Sequence, residues 1–114
     1  MSTASAIPSA QVRDAAPLFA ALGDETRLRL LIRLSSGGPG SIAQLSANAS
    51  VSRQAITKHL EVLSDAGLVR GSRQGRERIW ELETKRLTDA HDYLDRLGRQ
   101  WDEALARLKS LVES

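Results

Sequence analysis

Two groups of side chains in this sequence have the types and the spacing to do chemistry. The first is Ser52, Arg53, Gln54, Thr57 and Lys58. On a helix opening at Ser52, Ala55, Ile56 and Leu60 take the core face, which leaves those five pointing outward. An arginine in such a place can bond bidentately to guanine, a glutamine to adenine, and serine, threonine and lysine to phosphates or base edges, which is the chemistry of a DNA major groove. The second group is Arg73 and Arg76, which flank Gly75 at a bend and suit a minor groove or the sugar-phosphate backbone. Between Ser52 and Arg78, six basic residues stand against three acidic ones. Clustering of that kind is a footprint for a polyanion, because neutralised phosphates release counterions. By itself, a charge-rich segment can also be no more than a solvated face. Arg70 and Arg78 lie further back and can simply solvate strands.

Catalytic chemistry has no comparable constellation. The chain contains no cysteine, which excludes disulfides, thiolate metal sites and a cysteine nucleophile. Its two histidines, His59 and His91, lack an evident carboxylate partner, and no nucleophile, base and orienting group recur together, so the chain is not expected to be an enzyme. His59 falls within the helix that opens at Ser52 and reads as a packed or capping histidine. No cofactor and no metal ligand are expected.

The elements that must hold these side chains follow from periodicity and punctuation. Residues 1–13 are Ser/Ala/Pro-rich and read as a flexible N-terminal arm, with one domain over 14–114. Leu18, Phe19 and Leu22 then mark a short helix from Asp14 to Gly23, with Pro17 in its first turn. Asp24 caps a second helix with Leu28, Leu31 and Ile32 on one face, stopped near Ser35 by Ser36-Gly37-Gly38-Pro39-Gly40. Ser41-Ile42-Ala43-Gln44 has the form of a capping box and opens a third helix ending near Asn48. Only Ala49-Ser50-Val51 separates it from Ser52 and the fourth helix, whose stripe of Ala55, Ile56, Leu60 and Leu63 runs to Gly67. Two helices joined so tightly form a helix-turn-helix. Residues 68–73 and 77–82 read as two strands around Gln74-Gly75-Arg76, a wing, with Trp80 as a core residue beneath it. From Thr84 onward, Leu87, Ala90, Leu94, Leu97, Trp101, Ala104, Leu108 and Leu111 repeat at steps of three and four along one long helix. Asp92/Arg96, Asp95/Arg99 and Glu103/Arg107 lace its opposite face. The expected architecture is mainly α with a small β-hairpin wing, in the order α-α-α-α-β-β-α.

With 114 residues, 41% hydrophobic and 4% aromatic, the core must be built mainly from Leu, Ile, Val and Ala, and it is small enough to leave room for a partner chain. One short domain cannot cover so long a C-terminal stripe, whereas a two-fold copy can. Packing on the first helix is the alternative, and both can hold at once. Neither a leader-like N-terminus nor a run of about 20 apolar residues is present, so the expected location is the cytoplasm.

Leu22-Gly23-Asp24-Glu25-Thr26-Arg27-Leu28-Arg29-Leu30-Leu31, Val51-Ser52-Arg53-Gln54-Ala55-Ile56-Thr57-Lys58-His59-Leu60 and Leu63-Ser64-Asp65-Ala66-Gly67-Leu68-Val69 together resemble the ArsR-type winged-helix repressors. The likeness runs from about Leu18 to Leu82. It implies a homodimer built on the first and last helices, which would place Leu18, Leu94, Leu97, Trp101, Leu105 and Leu108 at the interface. It also implies repression through double-stranded operator DNA, with the recognition helix at 52–66 and the wing at 68–82 on an inverted repeat, often the regulator's own. The metal switch of many relatives does not carry over. The cysteines near Ser41 are missing, the Asp-x-His positions after the wing are Thr84 and Arg86, and Asp89-Ala90-His91 is five residues out of register. Ser50 stands where the family often has glycine, a cost of roughly 1 kcal/mol if that residue must be left-handed. The competing readings are a winged-helix protein-interaction module without DNA affinity and a metal- or ligand-responsive repressor with a non-standard site.

Overall fold

Five helices and three strands are laid out in the computed structural model, which describes residues 7–113. They are α1 (Ser9–Leu22), α2 (Glu25–Gly37), β1 (Gly40–Ser41), α3 (Ile42–Ser46), α4 (Arg53–Asp65), β2 (Val69–Gln74), β3 (Glu77–Leu82) and α5 (Thr84–Glu113). The expected element order is present, with one addition. β1 is a two-residue strand that pairs antiparallel with β3, Gly40 opposite Trp80 and Ser41 opposite Ile79, giving the sheet order β1-β3-β2. Two residues are too short for period-two patterning to register.

Helix α1 begins at Ser9, five residues before the expected start, with Pro8 at its N-cap. Pro17 therefore lies in the helix interior instead of its first turn. The arm expected over 1–13 is helical from Ser9, and its first six residues lie outside the described ones. The buried face of α1 is Ala15, Leu18 and Ala21. Small alanines gave no hydrophobic contrast from which the earlier start could be read.

Helix α2 is capped as expected, Asp24 accepting from the Arg27 backbone N–H at 3.0 Å. Its core face differs from the expected one: Leu30, Leu31 and Leu34 are buried, whereas Leu28 is exposed and Ile32 is 64% exposed. Five aliphatic residues between 28 and 34 cover most of the circumference, so periodicity could not choose the inner face. Packing against α4 and β3 chose it. The capping box of α3 is complete, with the Gln44 N–H donating to Ser41 Oγ at 3.2 Å and the Ser41 N–H to Gln44 Oε1 at 2.9 Å.

The core gathers Leu18, Leu31, Ile56, Leu60, Leu63 and Leu68 around Trp80, which is 0% exposed. Gly71 pairs with Trp80 across the sheet, and a Cβ there would come within 3.1 Å of the indole and 2.8 Å of Arg78 Nε. The missing side chain is what lets the ring lie flat under the wing. Each fully buried Leu or Ile contributes about 1.5–3 kcal/mol, so this cluster fixes the angle between α4 and the hairpin. On the other side, Phe19 and Tyr93 meet at 5.4 Å between ring centroids and join α1 to the head of α5. None of the described helices is long and apolar enough to cross a membrane.

Candidate nucleic-acid interface

Helix α4 starts where its cap dictates. Ser52 Oγ accepts from the Ala55 N–H at 3.1 Å, which spares one of the first-turn amides from going unpaired. From that start the 3.6-residue period turns Ile56, Leu60 and Leu63 fully inward and leaves Arg53, Gln54 and Lys58 exposed. Ser52, Gln54, Ala55, Thr57, Lys58 and Glu61 line one shallow depression on the outer surface of this helix. Four of the five expected α4 residues thus border one depression, and Arg53 lies exposed beside it.

Two of these residues are already partly engaged. Ser52 spends its oxygen on the helix cap, which leaves the hydroxyl its proton to donate. Thr57 is half-buried and donates its hydroxyl to the Arg53 carbonyl at 2.9 Å, so its remaining means of contact are a methyl group and acceptor lone pairs. Glu61, one turn beyond Thr57 and Lys58, was missed from the sequence because a carboxylate counts against phosphate binding. Next to base edges, a carboxylate can instead accept from the cytosine amino group.

At the wing, Gly75 takes φ 64° at the bend between Gln74 and Glu77, which pair across the hairpin. Arg73 is the cross-strand partner of Arg78. Like charges facing each other weaken a strand pair, and Arg78 eases this by lying over the Trp80 ring, 4.3 Å from its centroid. The charged ends of Arg53, Lys58, Arg73 and Arg76 make no hydrogen bond or ion pair among the described residues. The cations around them are committed. Arg70 binds Glu81 at 2.6 Å and Glu83 at 3.6 Å, and these carboxylates hold its guanidinium above the usual arginine range, the Glu81 hydrogen bond first. Arg29 pairs with Glu25 at 3.5 Å, and Arg33 donates to the Gly38 carbonyl. The α4 surface and the wing thus each carry two cationic side chains without a carboxylate partner among the described residues.

His59 is packed, as expected. Its side chain is 23% exposed, with Nδ1 3.3 Å from Arg27 Nη1. Asp89 binds Arg86 at 2.9 Å, and His91 Nδ1 lies 3.7 Å from Asp92. Arg86 also reaches Asp14 at 3.0 Å, an α1–α5 clamp that spacing alone could not reveal across 72 residues. Among the described residues no group of three or more metal-ligating side chains comes together. No described residue other than glycine has a positive φ, so Ser50 carries no left-handed strain.

The six residues expected at a dimer interface separate. Leu18 is 1% exposed and belongs to the protomer's own core. It has almost no surface left to offer, because that side of α1 packs into the core cluster with the head of α5 beside it. Leu94, Trp101, Leu105 and Leu108 are each more than half exposed, and Leu97 is half-buried. They share one side of α5 over a helix of 30 residues, about 45 Å at 1.5 Å per residue. On its outer side Asp95 and Arg99 pair at 3.4 Å, while Arg96 turns to Gln11 of α1.

The helix-turn-helix domain family matches residues 22–72. The HTH-type transcriptional regulator Rv2034 of Mycobacterium tuberculosis is 35% identical over 94 residues, 82% of this chain and 84% of that protein. An ArsR-like transcriptional regulator from Rhodococcus sp. RHA1 superposes with a TM-score of 0.76 at 37% identity, covering 90% of this chain and 95% of that one. The chain belongs to the ArsR-type winged helix-turn-helix regulators. The α3–α4 pair is thus the helix-turn-helix and β2–β3 the wing of a DNA-binding transcription regulator. The fold extends to more distant structures. The winged helix-turn-helix domain Mb0332 from Mycobacterium bovis, described as homodimeric and DNA-binding, superposes with a TM-score of 0.63 at 20% identity over 87% of this chain and 88% of that one.

Proposed function

We propose that this regulator is a homodimeric repressor that binds an inverted-repeat operator, including one at its own promoter. The observation that carries this reading is the division of its exposed surface. Unpaired Arg53, Lys58, Arg73 and Arg76 gather on the recognition helix and wing, whereas large apolar side chains gather on α5. Arg53 and Gln54 read base edges, Ser52 and Lys58 hold phosphates, and Thr57 offers its methyl group. Arg73 and Arg76 grip the backbone or minor groove beside the recognition helix. Leu94, Leu97, Trp101, Leu105 and Leu108 meet the same residues of a second copy. A two-fold axis there sets two recognition helices about 34 Å apart, one turn of DNA, and so reads a palindrome. The homodimeric description of the Mycobacterium bovis neighbour supports the same assembly. Repression and self-regulation rest on the family resemblance.

The deciding experiment combines light scattering with a gel shift on the DNA upstream of the chain's own gene, run at several salt concentrations. The reading expects a dimer and a complex whose affinity falls steeply with salt. A monomer that shifts the operator fully, or a salt-independent complex, would refute it. A reporter driven by that promoter is expected to fall in output when the protein is supplied, and a rise would replace repression with activation.

A further inference from the structure

Arg27, in the first turn of α2, spends its guanidinium on two other helices. Nε donates to the Ala21 carbonyl at 2.6 Å and Nη2 to the Ala20 carbonyl at 3.3 Å, both in the last turn of α1, where carbonyls run short of helical donors. Nη1 lies 3.3 Å from Nδ1 of His59, in the middle of the recognition helix. One side chain thus joins α1, α2 and α4.

The chemistry of the two groups fixes the proton. An arginine stays protonated at any working pH and has only donors to offer, so the imidazole nitrogen facing it must accept. A hydrogen bond between the two therefore requires an imidazole whose proton sits on Nε2 and not on Nδ1. Asp24 Oδ2 stands 3.8 Å from the same Nδ1 and already caps α2 through the Arg27 backbone N–H. On α4 itself, Asp65 borders the adjoining groove with Arg27, and α1 contributes only Pro17 and alanines there. Protonating His59 sets N–H against N–H, adds a second cation beside Arg27, and leaves Asp24 as the nearby acceptor. The Arg27–His59 bond is then lost, and α4 is held at this junction by Asp24 of the α2 cap in place of the side chain that reaches α1.

We propose that Arg27 is a positioning residue for DNA reading: it ties the recognition helix to the end of α1 through the neutral imidazole of His59, so that protonation of this histidine loosens the presentation of Arg53 and Gln54. The proposal rests on α4 being the helix that reads DNA. A purely structural Arg27, capping α1 and nothing more, would have no reason to make DNA selectivity follow the titration of an imidazole.

The test uses a duplex selected from a random pool with the wild-type protein. Its affinity is compared with that of a random duplex between pH 8 and pH 5.5 at fixed salt, a range chosen to span imidazole titration. Wild-type selectivity is expected to fall on the order of fivefold as the pH is lowered. His59→Gln, which can still accept but cannot titrate, should hold its pH 8 selectivity throughout. Arg27→Lys, which cannot span all three acceptors, should start lower and vary less. His91→Gln, changed on an exposed residue of α5, should follow the wild type. Thermal melts identify any variant that has simply lost its fold. A His59→Gln profile that still falls like the wild type, or a folded Arg27→Lys with wild-type selectivity, would overturn the proposal. Long-range proton–nitrogen NMR of His59 gives a reading without DNA. An unprotonated Nδ1 at pH 8 supports the junction, and a proton there overturns it while leaving the DNA reading intact. Failure to select any duplex strikes the DNA reading itself.

Discussion

Helices α4 and α5 each leave one long side uncovered, and the two sides are opposite in kind. That of α4 carries Arg53, Gln54, Lys58 and Glu61, while that of α5 carries Leu94, Trp101, Leu105 and Leu108. Exposure costs the first almost nothing, because charged groups are well solvated. For the second it leaves about 1.5–3 kcal/mol per large side chain unrealised. The head of α5 sharpens the contrast. Leu87 and Ala90 continue the same stripe as Leu94 and Trp101, yet they pack on the protomer's own core. One stripe therefore serves two masters: its first two turns finish the domain, and the remainder calls for another surface.

The most severe way to break the comparison is to give α5 the character of α4. Trp101→Glu is expected to weaken self-association more than a hundredfold, from about 3 kcal/mol lost at an aromatic anchor, and to abolish operator binding with it. Sedimentation that still finds a dimer would remove α5 from the interface. Next in size is Arg53→Ala, expected to cost about 1–3 kcal/mol on the operator and far less on random DNA, with the dimer unchanged. Equal losses on both DNAs would make Arg53 a phosphate contact. Arg73→Ala and Arg76→Ala should each weaken all sequences alike and lower the slope of log affinity against log salt by about 1, so an unchanged slope would detach the wing from the DNA. The smallest effect concerns the frame that carries both helices. The Arg27 backbone N–H holds the Asp24 carboxyl below its ordinary value of 3.8. Because the folded value is depressed, its stabilisation is fully present above about pH 4 and is lost as the pH falls through the lower folded value. Asp24→Asn should flatten the acid limb of the stability curve without altering oligomeric state at neutral pH, and an unchanged acid limb would argue against the cap.

Local signals served best where a single residue type settles a local geometry. The Ser41/Gln44 box, the Asp24 and Ser52 caps and the Gly75 bend were legible because each is satisfied within four residues. The outward set of α4 was legible because the Ser52 cap fixes its phase. What escaped depended on partners distant in the chain. Leu18 looked available for an interface until the protomer's own core closed over it, and Leu28 and Ile32 looked like core until packing selected Leu30 and Leu34. Strand β1 exists only because β3 comes to meet it. The Arg86–Asp14 clamp and the Arg27–His59 contact join residues 72 and 32 positions apart, beyond the reach of any spacing rule.

The chain has two tryptophans, and the fold treats them oppositely: Trp80 is sealed beneath Arg78, whereas Trp101 is 63% exposed. Each therefore gives a separate optical signal. Dissolved acrylamide can reach the indole on α5 but not the one beneath the wing, so quenching reports whether α5 is covered. The emission of Trp80 is expected to stay shielded and unshifted until the domain itself unfolds. Assembly and unfolding can thus be followed in the same cuvette with no label attached.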